Sequence, residues 1–184
     1  MTEQQPYRVV ARHPDFELRR YPAHLVAEVL VEGKFDQVAR DAFGPLSAYL
    51  AGANRSRRRP RTGMVQAAEP ETVPMTAPVV QEESDRPGCW LVRFVLPSGF
   101  TPAIVPAPAD PRVRTREIPE QLAAAVRFAG RGTAAAFDRR ATALGRAVTA
   151  ARLHPVGAVR YARYDPPWRP WFLRRNEVVL PVVG

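Results

Sequence analysis

The second half of this chain repeats its first, and that limits the folds open to it. A shift of 97 residues sets Arg19 on Arg116, Pro22 on Pro119 and Leu25 on Leu122, and it carries Ala27, Val29 and Gly33 onto Ala124, Val126 and Gly130. The shared register favours duplication over chance. Each half reads as strand, strand, helix, strand, strand. Neither unit can bury both of its faces alone. The economical solution is an α+β fold in which the duplicated units form one twisted antiparallel sheet or split barrel, with both helices packed on one side. Such an assembly leaves a concave surface or a helix–sheet cleft, where ligands prefer to bind. We expect a single domain over 1–184, with pseudo-repeats at about 7–96 and 112–183.

Local patterns support this order. Tyr7–His13 and Phe16–Tyr21 alternate as strands, and Leu25, Ala27, Val29 and Val31 share one strand face. By the same alternation His24 points away from Leu25 and is expected to be exposed. Phe35, Val38, Ala39, Ala42, Phe43, Leu46 and Leu50 recur at helical spacing over 35–51, with Gly44-Pro45 predicting a kink or break. Residues 53–74 form a long polar loop, expected to be either mobile or functional. Thr76–Glu82 and Cys89–Leu96 read as strands, and Pro97–Pro111 is a proline-rich connector. In the second half, Val113–Ile118 and Gln121–Phe128 are strands, and Thr133 can cap a helix running from Ala134 to about Leu153. Its buried face is Phe137, Ala141, Leu144, Val148 and Ala151. Gly157–Tyr164 and Glu177–Val183 complete the strands.

Composition bounds the function classes. Hydrophobic residues make up 46% and charged residues 24%, as expected of a chain with a real core. No apolar run approaches the roughly 20 residues of a membrane span, and Met1–Pro6 lacks the apolar stretch of a signal peptide, so a cytoplasmic protein is expected. Cys89 is the only cysteine, which excludes an internal disulfide and a thiolate metal cluster. Net charge is +9, and Lys34 is the only lysine among 27 basic residues. A run at Arg55, Arg57, Arg58, Arg59 and Arg61 reads as a solvated loop, with anion or nucleic-acid contact as the lesser reading. No nucleophile–base pair stands at a recognisable spacing, and no His/Glu cluster reads as a metal site, so an enzyme is not expected.

Five short motifs then stand out in order: Phe16-Glu17-Leu18-Arg19-Arg20-Tyr21, Tyr49-Leu50-Ala51-Gly52-Ala53-Asn54, Met75-Thr76-Ala77-Pro78-Val79, Tyr164-Asp165-Pro166-Pro167 and Arg175-Asn176-Glu177-Val178. In this order and spacing the chain resembles the SOUL/haem-binding protein family from Tyr7 to Val182. The resemblance implies a twisted antiparallel barrel-like sheet with two helices, related to bacterial effector-binding domains. It also implies binding of haem and other tetrapyrroles without an established reaction, as a haem buffer or carrier. Some hydrolases occur among the related effector-binding folds. The pocket implied by the resemblance runs along the first helix and against the Tyr-Asp-Pro-Pro hairpin. That nominates Arg40, Phe43 and Ser47, with Tyr164 opposite; Phe43 and Ser47 stand where relatives have methionine. A histidine that ligates iron in one subgroup is replaced here by Arg20.

Haem is an apolar disc with two carboxylates, so its site needs apolar walls and cations at the rim. Phe43, Leu46, Leu50, Tyr164, Trp168, Trp171 and Phe172 are candidate walls. Arg40, Arg169, Arg174 and Arg175 are candidate rim cations. The axial donor stays open among His13, His24, His154, Met75 and Tyr164. Asn176 reads as a turn-satisfying side chain and Glu177 as the partner of an arginine. Three functions are weighed: tetrapyrrole binding first, then an effector-binding or protein-partner module for another apolar ligand, then nucleic-acid contact through the arginine loop.

Overall fold

A computed structural model describes residues 3–58 and 69–184. The main strands are β1 (Arg8–Arg12), β2 (Glu17–Tyr21), β3 (His24–Glu32), β4 (Val79–Glu83), β5 (Cys89–Val95), β6 (Val113–Ile118), β7 (Gln121–Ala129), β8 (Arg160–Arg163) and β9 (Arg175–Val183). Helices α1 (Phe35–Leu50) and α2 (Ala134–Ala150) follow β3 and β7. The nine strands form one curled antiparallel sheet in the order β6-β3-β5-β4-β8-β9-β7-β2-β1. The fold is α+β, a half-barrel with two helices.

The repeat governs the pairing. Leu18 lies opposite Ala124, and its repeat mate Thr115 lies opposite Ala27. The halves meet at β4 and β8, where Val80 pairs with Ala162 and Glu82 with Arg160 about a pseudo-twofold at Gln81 and Tyr161. Each half lends a strand to the other: β2 pairs with β7, and its repeat mate β6 pairs with β3.

Both helices cover one face of the sheet. Under α1 lie Leu25, Ala27, Val29, Val92 and Phe94, together with Val38, Ala42 and Leu46 of the helix itself. Under α2 lie Phe16, Leu18, Ala124, Val178, Leu180 and Val182, against Phe137, Leu144 and Val148. Thr133 caps α2 by accepting a hydrogen bond from the Ala136 amide. The expected break at Gly44-Pro45 does not occur: α1 runs unbroken through Pro45. Val38 and Ala42 before the proline and Leu46 and Tyr49 after it are buried on the same sheet, which holds the two halves of the helix in line. The Ser47 hydroxyl also donates to the Gly44 carbonyl. α2 ends at Ala150, short of the expected Leu153, because Arg152 takes a left-handed φ of 60° and releases Leu153.

The polar segment after α1 is pinned at its described ends. Asn54 donates to the carbonyls of Tyr49 and Glu71, and Glu71 accepts from both Ser56 and Arg58. Arg59 and Arg61 lie outside the described residues. No helix of the described residues is long and apolar enough to cross a membrane.

Candidate functional site: a charged cleft on the open face of the sheet

Strand alternation sends every second side chain to the face that no helix covers. There Tyr21, Ala123, Ala125 and Val179 form one apolar patch, and Val26, Val95 and Ile118 form another. Between them opens a cleft of about 480 Å³ including its mouth. Tyr21, His24, Arg93, Arg160 and Tyr164 line it.

Two ion clusters build this face. In the first, Arg19 Nη1 donates to Glu177 Oε2 at 2.8 Å, and the Tyr164 hydroxyl donates to the same oxygen at 2.9 Å. Arg19 reaches Glu177 across β7 because the two side chains of β7 beneath it are only Ala123 and Ala125. Its guanidinium also bonds Glu17 and lies 4.1 Å from the Tyr7 ring centroid. Arg175 stacks on the Tyr164 ring at 3.5 Å and pairs with Glu177 at 3.3 Å. Burial would lower the Arg19 pKa, but Tyr21 and Glu177 outweigh it and the group stays charged. Burial, and then the Glu177 charge, pushes the Tyr164 phenol well above its ordinary value. Burial also raises Tyr21, to about 12. In the second cluster, Arg93 bridges Glu28 at 2.8 Å and Glu82 at 2.6 Å, and Glu82 accepts from Arg160 at 3.0 Å. Each carboxylate of these two clusters thus has a guanidinium partner.

His24 is half-buried in the cleft, not exposed as its strand position implied. The cleft is concave, so a side chain turned away from the helices still meets neighbours. Its Nδ1 donates to the Pro22 carbonyl at 2.9 Å and its Nε2 accepts from Gln5 at 3.0 Å, which assigns the neutral Nδ1–H tautomer. Burial lowers its pKa from 6.5, and Arg160 and Arg93 add to this. The unfolded chain therefore binds a proton more readily than the folded one, and stability is lost as pH falls through the unfolded value. Urea midpoints are expected to drop between about pH 7.5 and pH 5.5 in the native protein. They should stay nearly level over that range in His24→Gln.

The residues nominated from the sequence fall into different places. Arg40, Phe43 and Ser47 lie on one stripe of α1. Phe43 is 47% exposed and packs edge-on against Phe94, with centroids 5.7 Å apart. Leu50 is buried in the core under α1. Tyr164 is not opposite these residues: it faces the cleft, while its neighbour Arg163 turns to the helix side. Trp168, Trp171 and Arg174 belong to the β8–β9 loop; both tryptophans are exposed, and Arg174 Nε bonds the Arg169 carbonyl. The Tyr-Asp-Pro-Pro turn is held by Asp165, whose Oδ2 accepts from the Arg175 amide at 2.6 Å.

Arg19, Arg93, Arg160 and Arg163 were missed by sequence reasoning. Arg163 donates to Gln81 and to the Gly132 carbonyl, and its guanidinium lies over Phe35 and Phe137. Burial lowers its pKa to about 10. An arginine inside an apolar strand was the available signal. Asn176 and Glu177 take the roles expected: Asn176 bonds the Gly130 carbonyl, and Glu177 pairs with arginines.

Solved structures share this architecture at low identity. The EcmrR C-terminal domain aligns with a TM-score of 0.65 at 13% identity, covering 97% of this chain and 98% of that one. A hydrolase from Listeria innocua aligns at 0.64 and 14%, covering 95% and 94%. SAV2435 bound to tetraphenylphosphonium aligns at 0.53 and 9%, covering 92% and 94%. No curated protein sequence matches the chain. The family model described as SOUL heme-binding protein matches residues 2–181, so the chain belongs to the SOUL heme-binding protein family.

Proposed function

We propose that the protein binds haem or a related tetrapyrrole without catalysing a reaction on it, along the outer flank of α1. Family membership supports the ligand class. The observation that carries the placement is Phe43, an aromatic ring left half out of α1 against Phe94. Arg40 stands one turn before it and makes no ion pair among the described residues. An apolar step beside a free guanidinium suits a flat ring bearing carboxylates. The cleft on the opposite face suits it less. Its charges are already paired, and both ring nitrogens of His24 are engaged.

The stripe of Arg40, Phe43 and Ser47 carries no histidine, cysteine or methionine. His13 is stacked on Phe16, 4.3 Å between centroids. The residues present fit the ring and its carboxylates, and this stripe offers no histidine, cysteine, methionine or tyrosine to the iron. Haemin and iron-free protoporphyrin are therefore expected to bind with affinities within about tenfold of each other. In a titration followed by absorption, haemin should saturate at one equivalent. Phe43→Ala and Arg40→Glu should each weaken binding by about tenfold, the loss expected for one apolar contact or one charge-assisted hydrogen bond. Tyr164→Phe should leave it unchanged. Non-saturating, unshifted absorbance would overturn the reading.

A second reading places a different small molecule in the cleft. It is favoured by the cleft itself, ringed by Tyr21, His24 and Tyr164. Since its arginines and carboxylates are already paired with one another, a neutral compound suits it better than an ion. Selective stabilisation by such a compound, lost in Tyr164→Phe, would favour this reading.

A further inference from the structure

Outside both sites stands a convex apolar turn. Trp168 is 83% exposed, Trp171 51%, Phe172 58% and Leu173 52%. The last three form a single 3-10 turn. Large apolar side chains scattered singly need no explanation, but four within residues 168–173 do. The turn is braced rather than slack. Arg174 donates to the carbonyls of Arg169 and Pro167, Arg169 pairs with Asp165, and the Trp171 and Phe172 rings meet edge to face at 5.8 Å.

Beside it runs a groove of about 610 Å³, open to solvent, between the end of β7 and the first turns of α2. Phe128, Arg131, Arg139 and Arg140 line it. Arg131 lies 5.4 Å from the Trp171 ring centroid and so joins the groove to the turn. None of these three arginines makes an ion pair among the described residues. Asp138 is the one acidic residue among them in sequence.

We infer that this corner docks the protein on an anionic lipid surface, with the turn entering the headgroup boundary and the arginine groove taking lipid phosphates. Tryptophan and phenylalanine with adjacent arginines match an interface that is apolar inside and negatively charged outside. A nucleic-acid duplex would satisfy the arginines but offers no apolar medium for Phe172 and Leu173. A flat protein partner would meet a protruding turn instead of a patch. The groove lies apart from Phe43 and from the cleft, so docking needs neither ligand.

The test is vesicle co-sedimentation of the ligand-free protein. Phosphatidylcholine vesicles are compared with phosphatidylcholine–phosphatidylserine vesicles, while tryptophan emission is followed. Binding is expected only to the serine-containing vesicles, with a blue shift and a fall at high salt. Trp168→Ser/Trp171→Ser should abolish the shift and weaken binding at least tenfold. Each of Arg131→Ser, Arg139→Ser and Arg140→Ser should cost about fivefold, the effect of one surface arginine near an anionic membrane. Trp168→Ser alone changes a residue already 83% exposed, so it keeps the test valid if the double variant folds poorly. Equal sedimentation with both vesicle types, or full binding by Trp168→Ser/Trp171→Ser, would overturn the proposal. So would a concentration-dependent dimer that the tryptophan changes abolish, with no vesicle binding. Free inorganic phosphate protecting Arg131 and Arg139 without any vesicle binding would overturn it too. Haemin binding is unaffected by these outcomes, so failure here leaves the tetrapyrrole reading standing.

Discussion

Replacing Arg19 by leucine is expected to destabilise the protein by about 3–5 kcal/mol, the range for breaking a buried ion pair from one side. Arg19 is 3% exposed and Glu177 1%. One guanidinium serves Glu177, Glu17 and Tyr21 at once. Leucine leaves the Glu177 carboxylate with only the Tyr164 hydroxyl and a longer contact to Arg175 at 3.3 Å. The remaining charge is desolvated without adequate compensation. Two companions separate causes. Tyr164→Phe removes one hydrogen bond and should cost about 1 kcal/mol. Arg19→Leu combined with Glu177→Leu removes both charges and should recover most of the loss. Urea unfolding of the three variants, read at constant m-value, is the measurement. A loss below about 1 kcal/mol for Arg19→Leu would mean that the pair does not hold the sheet.

The second large effect is expected from Phe137→Ala, again about 3–5 kcal/mol, the usual range for an aromatic truncated in a core. Phe137 has no exposed surface and packs among Phe128, Phe35 and Tyr161 at 5.1, 5.6 and 5.3 Å between centroids. These rings come from α1, β7, β8 and α2, so the cluster joins the two halves where their helices begin. The Asp36 carboxylate accepts the Ala134 amide at the same junction. Neighbours tied to a sheet cannot collapse far into the space an alanine leaves. Phe137→Leu keeps most of the volume and should cost less than about 1.5 kcal/mol. Calorimetry should show one transition at a lower temperature. Two separated transitions would mean that the halves fold independently.

Much of the fold was legible because periodicity is a local property. The alternation of Leu25, Ala27, Val29 and Val31, and the helical recurrence of Phe137, Leu144 and Val148, each report which face meets a core. The repeat extended that reading to the number of layers. Pro45 misled because propensity is a weak prior. The cost of a missing amide was set against burial on both sides of it, and burial won.

The candidate site was legible in parts. Alternation puts Glu177 with Val179 and Tyr164 with Ala162, but it does not say which face carries the helices. It was the resemblance that set Tyr164 opposite Phe43, whereas the sheet stands between them. The partner of Glu177 was hidden more deeply, because Arg19 is 158 residues away.

The sequence by itself determined the elements, their duplication and the apolar face of each. Those depend on spacing along the chain, which the chain carries explicitly. Only the tertiary structure decided that β2 crosses to β7 and β6 to β3, and that Ala123 and Ala125 clear a path for Arg19 to reach Glu177. The tertiary structure also decided that His24 ends in a cleft instead of in water. Strand partners are chosen by the burial that the whole sheet achieves when it closes, and no local pattern encodes that sum.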